Sequence, residues 1–316
     1  MFSEVFYISE VNTMLDSEKF KLLSEIDKVK ELKMEIRNTN FSLREYTMSF
    51  IKYLKNDKDK IIFIEQGLKD KNTDVCYAAM KQIQYLDNDE YKIKYIKEGL
   101  SNKDPNIGYL AIQQIKYLNN KKDMIKLVEI GTNSENAWVR DTAISSIAYL
   151  KFSDKENVKL IEKGLKDISP YVRNNTIIQI QYLKNEEDKI RFIKIGLADE
   201  DVSAREAAIE QVRNLKNDED KIKFIEKGLE DNDENVRYRA VWQISFLNKE
   251  EDKIKLIEKV LDDKSRIVYE IAMEQIRKLN NHKIKIVPIE EYINKLNSDE
   301  ENKSKNTKKN YTDYKH

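Results

Sequence analysis

The side chains that most often carry metal or nucleophilic chemistry are scarce in this chain. It contains two histidines, His282 and His316, and a single cysteine, Cys76. A metal site needs several such ligands at short spacing, and a nucleophile needs a base beside it. No G-x-S-x-G, Walker-A or G-x-G-x-x-G motif occurs. We therefore predict no catalytic residue, no metal and no cofactor. Catalysis by carboxylates alone is the alternative that this leaves open.

Aromatic side chains offer a different chemistry, because tyrosine and tryptophan are common anchors of protein interfaces. Trp138, Tyr171 and Trp242 depart from the repeating pattern of the chain, so packing does not dictate them. We predict that they form a binding surface and that the contacts between repeats do not need them. A second aromatic set recurs at a spacing of 32 or 33 residues, with Asn214 in one place: Tyr53, Tyr85, Tyr117, Tyr149, Tyr182 and Phe246.

This second set has two interpretations. The rings can edge the same binding surface, in which case Tyr85, Tyr117, Tyr149 and Tyr182 are candidate binding residues. Alternatively, the tyrosines wedge between neighbouring helices with their hydroxyls in water.

Glutamines recur with the same spacing: Gln82, Gln114, Gln179, Gln211, Gln243 and Gln275. Each precedes a repeating leucine by four residues, which places it about 40° from that leucine on a helix and at the border of the apolar stripe. A half-buried amide must find hydrogen-bond partners. Either the amides bond to one another or to loop carbonyls, or Gln179, Gln211 and Gln243 bind the backbone of an extended partner.

Arginines form a further file, each preceded by a short polar residue six positions earlier. The pairs are Asn38 and Arg44, Ser134 and Arg140, Asp167 and Arg173, Asp199 and Arg205, and Asp231 and Arg237. We predict a structural ladder in which Arg173 and Arg205 bond acidic residues such as Asp167 and Asp199 in the same or the adjoining repeat.

The aromatic, glutamine and arginine series all repeat every 32 or 33 residues, and six of the seven glycines share this period: Gly67, Gly99, Gly131, Gly164, Gly196 and Gly228. A fixed period of this length is typical of stacked repeats, none of which can bury its own apolar face. In the clearest repeat, Ile222, Ile225 and Leu229 lie on one helical stripe and Val236 and Ile244 on a second. A polar turn, residues 230–235, separates the two stripes.

Each repeat is therefore a helix A, a tight turn and a helix B. The chain is predicted to be an all-α solenoid of about eight helical hairpins with a 32-residue period. The glycine falls in the last turn of helix A, where either a neighbouring helix packs too close for a Cβ or the helix ends in a left-handed residue. We favour close packing. Pro105 and Pro170 precede helix B, where a first-turn proline loses no hydrogen bond.

The D-x5-R and V-R-x-x-A patterns resemble HEAT and HEAT-like repeats of the phycobilin-lyase type. The resemblance covers roughly residues 26 to 279. It implies a right-handed solenoid whose B helices line the concave face, with bonds between aspartate and arginine joining successive repeats. HEAT-like hydroxylases hold iron with repeated His-Glu pairs, and this chain has no His-Glu step. The resemblance therefore gives no reason to expect that activity.

The ends of the chain depart from the repeat. We predict an N-terminal capping segment over residues 1–25, the HEAT-like solenoid over residues 26–279 and a C-terminal capping helix over residues 280–298. Residues 299–316 are polar and rich in lysine and asparagine, so we predict a disordered tail.

Composition narrows the possible partners. The 57 basic and 57 acidic residues balance, whereas proteins that bind nucleic acids usually have a basic excess or stripe. The amino terminus lacks the features of a signal peptide, and no apolar run approaches the roughly 20 residues that span a bilayer. The single cysteine suits a reducing compartment. We predict a cytoplasmic monomer without membrane contact.

Three functions are compatible with this reading. The first is a non-catalytic scaffold that binds a protein or peptide in its concave groove. The second is nucleic-acid binding, as in the HEAT-like alkylpurine DNA glycosylases, which use tryptophans and an aspartate near the base; here Trp138 is followed by Arg140 and Asp141. The third is a chaperone-like lyase activity, which no residue supports directly. We favour the scaffold.

Overall fold

In the computed structural model, residues 15–280 are described. Over this range the chain is built from helices and short turns, and it contains no strand. Its contacts define two compact units, divided in sequence after Lys184. We refer to residues 15–184 as the N-terminal unit and to residues 185–280 as the C-terminal unit.

The N-terminal unit consists of a short first helix followed by hairpins of two helices each. Its helices are α1 (Ser17–Leu22), α2 (Glu25–Glu35), α3 (Phe41–Met48), α4 (Asp57–Leu68), α5 (Thr73–Gln82), α6 (Asp89–Leu100), α7 (Pro105–Gln114), α8 (Lys121–Gly131), α9 (Ala137–Ser145), α10 (Ile147–Leu150), α11 (Asp154–Gly164) and α12 (Pro170–Ile178). Helix A packs on helix B in the pairs α2–α3, α4–α5, α6–α7, α8–α9 and α11–α12. The B helices α3, α5, α7, α9 and α12 also pack side by side in that order.

The C-terminal unit repeats the same arrangement. Its helices are α13 (Glu186–Gly196), α14 (Val202–Gln211), α15 (Asp218–Leu229), α16 (Glu234–Ile244), α17 (Glu250–Glu258) and α18 (Arg266–Asn280). The hairpins are α13–α14, α15–α16 and α17–α18, and the B helices α14, α16 and α18 pack in order.

Short polar residues begin most of these helices. The Asn72 side chain accepts from the backbone N–H groups of Asp74 and Val75 at the start of α5, which satisfies donors that have no partner inside the helix. Pro105 and Pro170 lie in the first turns of α7 and α12, where they were predicted. Most B helices end in a short 3-10 turn: Ile51–Tyr53, Ile83–Tyr85, Ile115–Tyr117, Gln179–Tyr182 and Val212–Asn214.

The glycines at the ends of the A helices mark close helix contacts. A Cβ on Gly67 would lie 2.6 Å from both the Ala79 Cβ and the Met48 Sδ, and a Cβ on Gly228 would lie 2.9 Å from the Ala240 Cβ. No glycine in residues 15–280 has a positive φ angle. Close packing is therefore confirmed for five of the six repeat glycines, Gly67, Gly99, Gly131, Gly164 and Gly228, and the alternative of a left-handed helix end is wrong.

The predicted all-α fold of stacked helical hairpins is confirmed within each unit. The capping segment predicted over residues 1–25 includes residues 1–14, which lie outside the described range. The capping helix predicted over residues 280–298 and the tail over residues 299–316 also fall outside it, apart from Asn280 at the end of α18.

Candidate functional site

Arginine side chains tie four of the B helices to the hairpin that follows. Arg44 Nε and Nη2 each donate to a carboxylate oxygen of Asp70, both at 2.7 Å. Arg44 Nη1 donates to the carbonyl oxygen of Asn38, at 2.9 Å, in the turn before its own helix. Both charged side chains are largely buried, so this pair belongs to the framework. The same geometry recurs for Arg140 with Asp167, Arg205 with Asp231, and Arg237 with Asp263.

The aspartate six residues before an arginine contacts it through the backbone. Arg173 Nη1 donates to the carbonyl oxygen of Asp167 and Arg205 Nη1 to that of Asp199, both at 3.0 Å. The Asp167 carboxylate instead accepts from Arg140 of the preceding hairpin. Contacts within one repeat therefore use the backbone carbonyl, and contacts between adjoining repeats use the carboxylate.

A ladder of buried lysines was not predicted from the sequence. Lys60, on helix α4, is 5% exposed, and its Nζ donates to the carbonyl oxygen of Tyr85 at 2.6 Å. Lys60 also pairs with Asp57 at 3.4 Å, and Asp57 accepts from the backbone N–H groups of Asp87 and Asn88. The sequence signal that could have revealed this lysine ladder is an acidic residue three positions before a lysine in helix A. The bond recurs from Lys92 to Tyr117, from Lys189 to Asn214 and from Lys221 to Phe246.

The glutamines lie inside the protein and not at the half-buried border that the sequence suggested. Gln179, Gln211 and Gln243 are 6%, 3% and 1% exposed. Gln179 Nε2 donates to the carbonyl oxygen of Asn175 in its own helix, and the Gln211 side-chain oxygen accepts from Asn214. The helical-wheel estimate was wrong because B helices pack side by side and cover the edge of each apolar stripe. These amides are therefore out of reach of a partner on the surface.

The repeating tyrosines lie just after the B helices with partly exposed rings. Tyr85, Tyr149 and Tyr182 are 38%, 36% and 43% exposed. The ring of Tyr117 lies beneath Lys116, whose Nζ is 5.0 Å from the ring centroid. The backbone carbonyl oxygens of Tyr85 and Tyr117 accept hydrogen bonds from the buried lysines of helix A. The same residues thus combine a structural carbonyl with an accessible ring.

Trp138, on α9, belongs to a group of aromatic residues in the N-terminal unit. Its ring stacks on Tyr109 of α7, with centroids 5.0 Å apart and 17° between the planes, while 38% of Trp138 stays exposed. Tyr149 lies on α10, where desolvation raises the pKa of its hydroxyl to about 12, with a contribution from Tyr109. Trp138 therefore contacts the preceding hairpin, and the prediction that contacts between repeats do not need it stays a prediction.

Asp141 lies one turn after Trp138 on α9 and is 7% exposed. The hydroxyl of Tyr171, on α12, donates to Asp141 Oδ2 over 3.3 Å, and Oδ1 has no hydrogen-bond partner within residues 15–280. Tyr171 itself is 53% exposed. Burial raises the pKa of Asp141, and hydrogen bonds from Asn175 and Tyr171 oppose only part of that effect. We call Tyr109, Trp138, Asp141, Tyr149 and Tyr171 the Asp141 cluster.

Trp242, on α16 of the C-terminal unit, is 40% exposed and has a charged neighbour. Lys278 Nζ lies 5.4 Å from its ring centroid and pairs with Glu274 at 2.7 Å. Arg239 on the same helix pairs with Glu206 at 3.3 Å and with Glu210 at 2.7 Å. The charged groups around this tryptophan are therefore matched within the unit.

The described residues show no group of three or more His, Cys, Asp or Glu side chains that could hold a metal ion. Cys76 is a buried free thiol whose pKa is raised, first of all by burial. Among residues 15–280, no helix is both long enough and apolar enough to cross a membrane.

Comparisons with known proteins identify the repeat. The family model of HEAT repeats matches residues 190–277. No curated protein sequence matches the chain significantly. Similar solved structures include Cex1p, with 16% identity, a TM-score of 0.51 and coverage of 84% of this chain and 59% of that one. The aligned region thus spans less than two thirds of Cex1p.

Two further structures align at lower scores. Human deoxyhypusine hydroxylase has 12% identity, a TM-score of 0.36 and coverage of 80% of this chain and 96% of its own. YibA of E. coli has 17% identity, a TM-score of 0.43 and coverage of 77% and 97%. At such identities, likeness between structures speaks to the fold and not to function. The family match shows HEAT repeats over residues 190–277, and helical hairpins of the same kind recur through residues 15–280.

Proposed function

We propose that this chain is a non-catalytic scaffold that binds a protein or peptide on the exposed side of its B helices. The observation that carries the proposal is the Asp141 cluster, where Trp138, Tyr149 and Tyr171 are 38%, 36% and 53% exposed on one unit. Large aromatic side chains that remain partly exposed are the usual anchors of protein interfaces, because they bury much area at low conformational cost.

The surroundings of Tyr171 extend this surface. Ile168, in the turn before α12, is 90% exposed, and Pro170 opens the helix. The framework contacts of this hairpin are supplied by other side chains, such as the pair of Arg140 and Asp167. An apolar side chain this exposed contributes little to the stability of the fold. A partner that covered it would gain the free energy of burying its apolar surface.

Nucleic-acid binding is the second candidate, supported by Trp138 and Asp141 on one helix. A nucleic-acid site needs cations that neutralise phosphates. The central carboxylate of the cluster instead lacks a cationic partner among residues 15–280, and it would repel a phosphate. The protein interpretation therefore fits the charges better. We place the scaffold in the cytoplasm as a monomer, in keeping with the free thiol of Cys76.

The test is to capture partners from the native host with the whole chain, and then to measure each affinity by calorimetry. Trp138→Ala should weaken binding by at least about 2 kcal/mol, which is roughly 30-fold. The matched control is Tyr91→Ala, because Tyr91 is a 41% exposed aromatic residue on an A helix. Equal losses in the two variants would argue against the proposal. So would salt-sensitive capture of nucleic acid alone.

A further inference from the structure

Asp141 is a buried carboxylate without a cationic partner among residues 15–280. Buried charges in proteins are normally paired, because an unpaired one loses its hydration without compensation. Elsewhere in the same unit Asp70 and Asp167 have arginine partners, and Asp57 has Lys60. Asp141 has only the hydroxyl of Tyr171 at 3.3 Å, together with a contribution from Asn175.

The contact with Tyr171 is weak for a charged acceptor. Hydrogen bonds from a hydroxyl to a carboxylate are usually about 2.5–2.7 Å long, whereas this one spans 3.3 Å. Oδ1 has no hydrogen-bond partner in the described part of the chain. Tyr171 is 53% exposed, so its side chain can swing toward solvent and open a path to the carboxylate.

Trp138 lies on the same helix as this carboxylate. Trp138 precedes Asp141 by one helical turn, which puts both side chains on the same face of α9. The indole is held in place by its stack on Tyr109. A ring face beside a carboxylate attracts cations through both the ring quadrupole and the negative charge.

This hairpin departs from the repeat at the end of its B helix. Ser146 occupies the position that glutamine holds in most repeats, α10 takes the place of the usual 3-10 turn, and Lys151 has a φ of 50°, in the left-handed region. Lys151 is the sole described non-glycine residue with positive φ. The end of this B helix therefore differs in backbone conformation from the others described.

We infer that the Asp141 cluster binds an arginine side chain of the partner, whose guanidinium stacks on Trp138 and pairs with the Asp141 carboxylate. A guanidinium fits better than an ammonium, because it is planar, weakly hydrated and able to donate two parallel hydrogen bonds to one carboxylate. The Tyr171 side chain then moves toward solvent and makes room for the guanidinium. This inference rests on the proposed function and specifies the chemistry of the partner.

The experiment uses the full-length Trp242→Phe variant, in which Trp138 is the one tryptophan left. Its fluorescence is titrated with a short glycine-flanked arginine peptide, with the lysine and citrulline versions, and with an N-methylated cationic purine nucleoside. The arginine peptide should give a saturable change, with an affinity at least about 10-fold above that of citrulline. The lysine peptide should fall between them.

Asp141→Asn should lower the affinity for the arginine peptide at least about 10-fold, and Asp74→Asn should leave it unchanged. Asp74 is an exposed acid on α5 of the same unit, so it controls for loss of one negative charge. Equal binding of citrulline, equal effects of the two variants, or binding of the purine nucleoside alone would overturn the inference.

The natural partner separates this inference from the proposed function. If the captured partner loses affinity for Trp138→Ala but binds Asp141→Asn as tightly as wild type, the scaffold function stands and the arginine site is wrong. If neither variant affects the partner, the proposed function fails as well.

Discussion

The two tryptophans of this chain stand in opposite electrostatic settings on B helices built to one plan. Around Trp242, Lys278 pairs with Glu274 and Arg239 pairs with two glutamates. Around Trp138, Asp141 is buried and has no ion pair among the described residues. Each region is partly exposed and aromatic, yet only one of them carries an uncompensated charge.

This difference shows where a repeat protein can carry function. The arginine and lysine ladders occur in both units, so the framework does not distinguish the two regions. The distinction comes from a few positions that packing leaves free, such as Asp141. A region whose charges are matched internally gains little from a charged partner, whereas an unmatched carboxylate gains the whole interaction.

The largest effect should come from removing the shared framework, and it should be similar in both regions. Arg140→Ala and Arg237→Ala should each lower the free energy of unfolding by about 2–4 kcal/mol, because each leaves a mostly buried aspartate without its bidentate partner. Urea denaturation measures both. The exposed Arg213 is the control, and Arg213→Ala should change stability by less than about 0.5 kcal/mol. Equal losses in all three would mean that the ladder is incidental.

The next effect concerns the close contacts at the glycines. A Cβ on Gly164 would overlap the Thr176 hydroxyl, which is bonded to the Val172 carbonyl, while a Cβ on Gly228 would first meet the tip of Ile209 at 2.7 Å. Overpacking costs about 1–3 kcal/mol, and alanine regains up to about 1 kcal/mol of helix propensity. Gly164→Ala should therefore destabilise more than Gly228→Ala in thermal unfolding. The exposed Lys163 supplies the control Lys163→Ala, and the reverse order would contradict the packing.

The tryptophans themselves should differ modestly. Trp138→Ala removes a stacked pair with Tyr109, which is worth about 0.5–1.5 kcal/mol beyond its area. Trp242→Ala removes an exposed contact with Lys278, worth about 0.5–1 kcal/mol. Urea denaturation followed by circular dichroism measures both variants, since each substitution removes a different one of the two tryptophans and changes the fluorescence signal. A larger loss at Trp242 would contradict the expectation that ring stacking contributes more to stability than the cation–π contact.

The smallest effect should have the opposite sign. Burial raises the pKa of Asp141 above that of the unfolded chain, so this group favours folding most when protonated and lowers stability as pH rises through its folded pKa. Asp141→Asn should therefore raise the melting temperature near pH 7. The gain should shrink below about pH 4, where the unfolded aspartate is also protonated.

Asp263 provides the matched control. Burial alone would raise its pKa, but hydrogen bonds from Arg237 and from the Ser265 backbone hold it below the ordinary value. Its stabilising contribution is present above about pH 4 and is lost as pH falls through the folded pKa. Asp263→Asn should therefore lower the melting temperature near pH 7. Destabilisation by Asp141→Asn would mean that the carboxylate has a partner that compensates its charge.

The periodic features were largely predictable from the sequence. The hairpins, the glycine contacts and the prolines of α7 and α12 all follow from a local pattern repeated along the chain. The burial of Gln179 and Gln243 was not predictable, because a helical wheel contains one helix and the side chains are covered by neighbouring B helices. The lysine ladder was missed because a lysine in helix A looks solvated until its carbonyl partner, 25 residues later in sequence, is known.

By itself, the sequence determined that the chain is a stack of helical hairpins, because a period of 32 or 33 residues forces each repeat to bury its apolar face against the next. The tertiary structure alone decided which charges are matched. Asp167 and Asp141 are both aspartates of the N-terminal unit, and only the packing of successive hairpins brings an arginine to the first and a tyrosine hydroxyl to the second. Whether a charged side chain is paired depends on distances between successive hairpins, and these distances cannot be read from the order of residues along the chain.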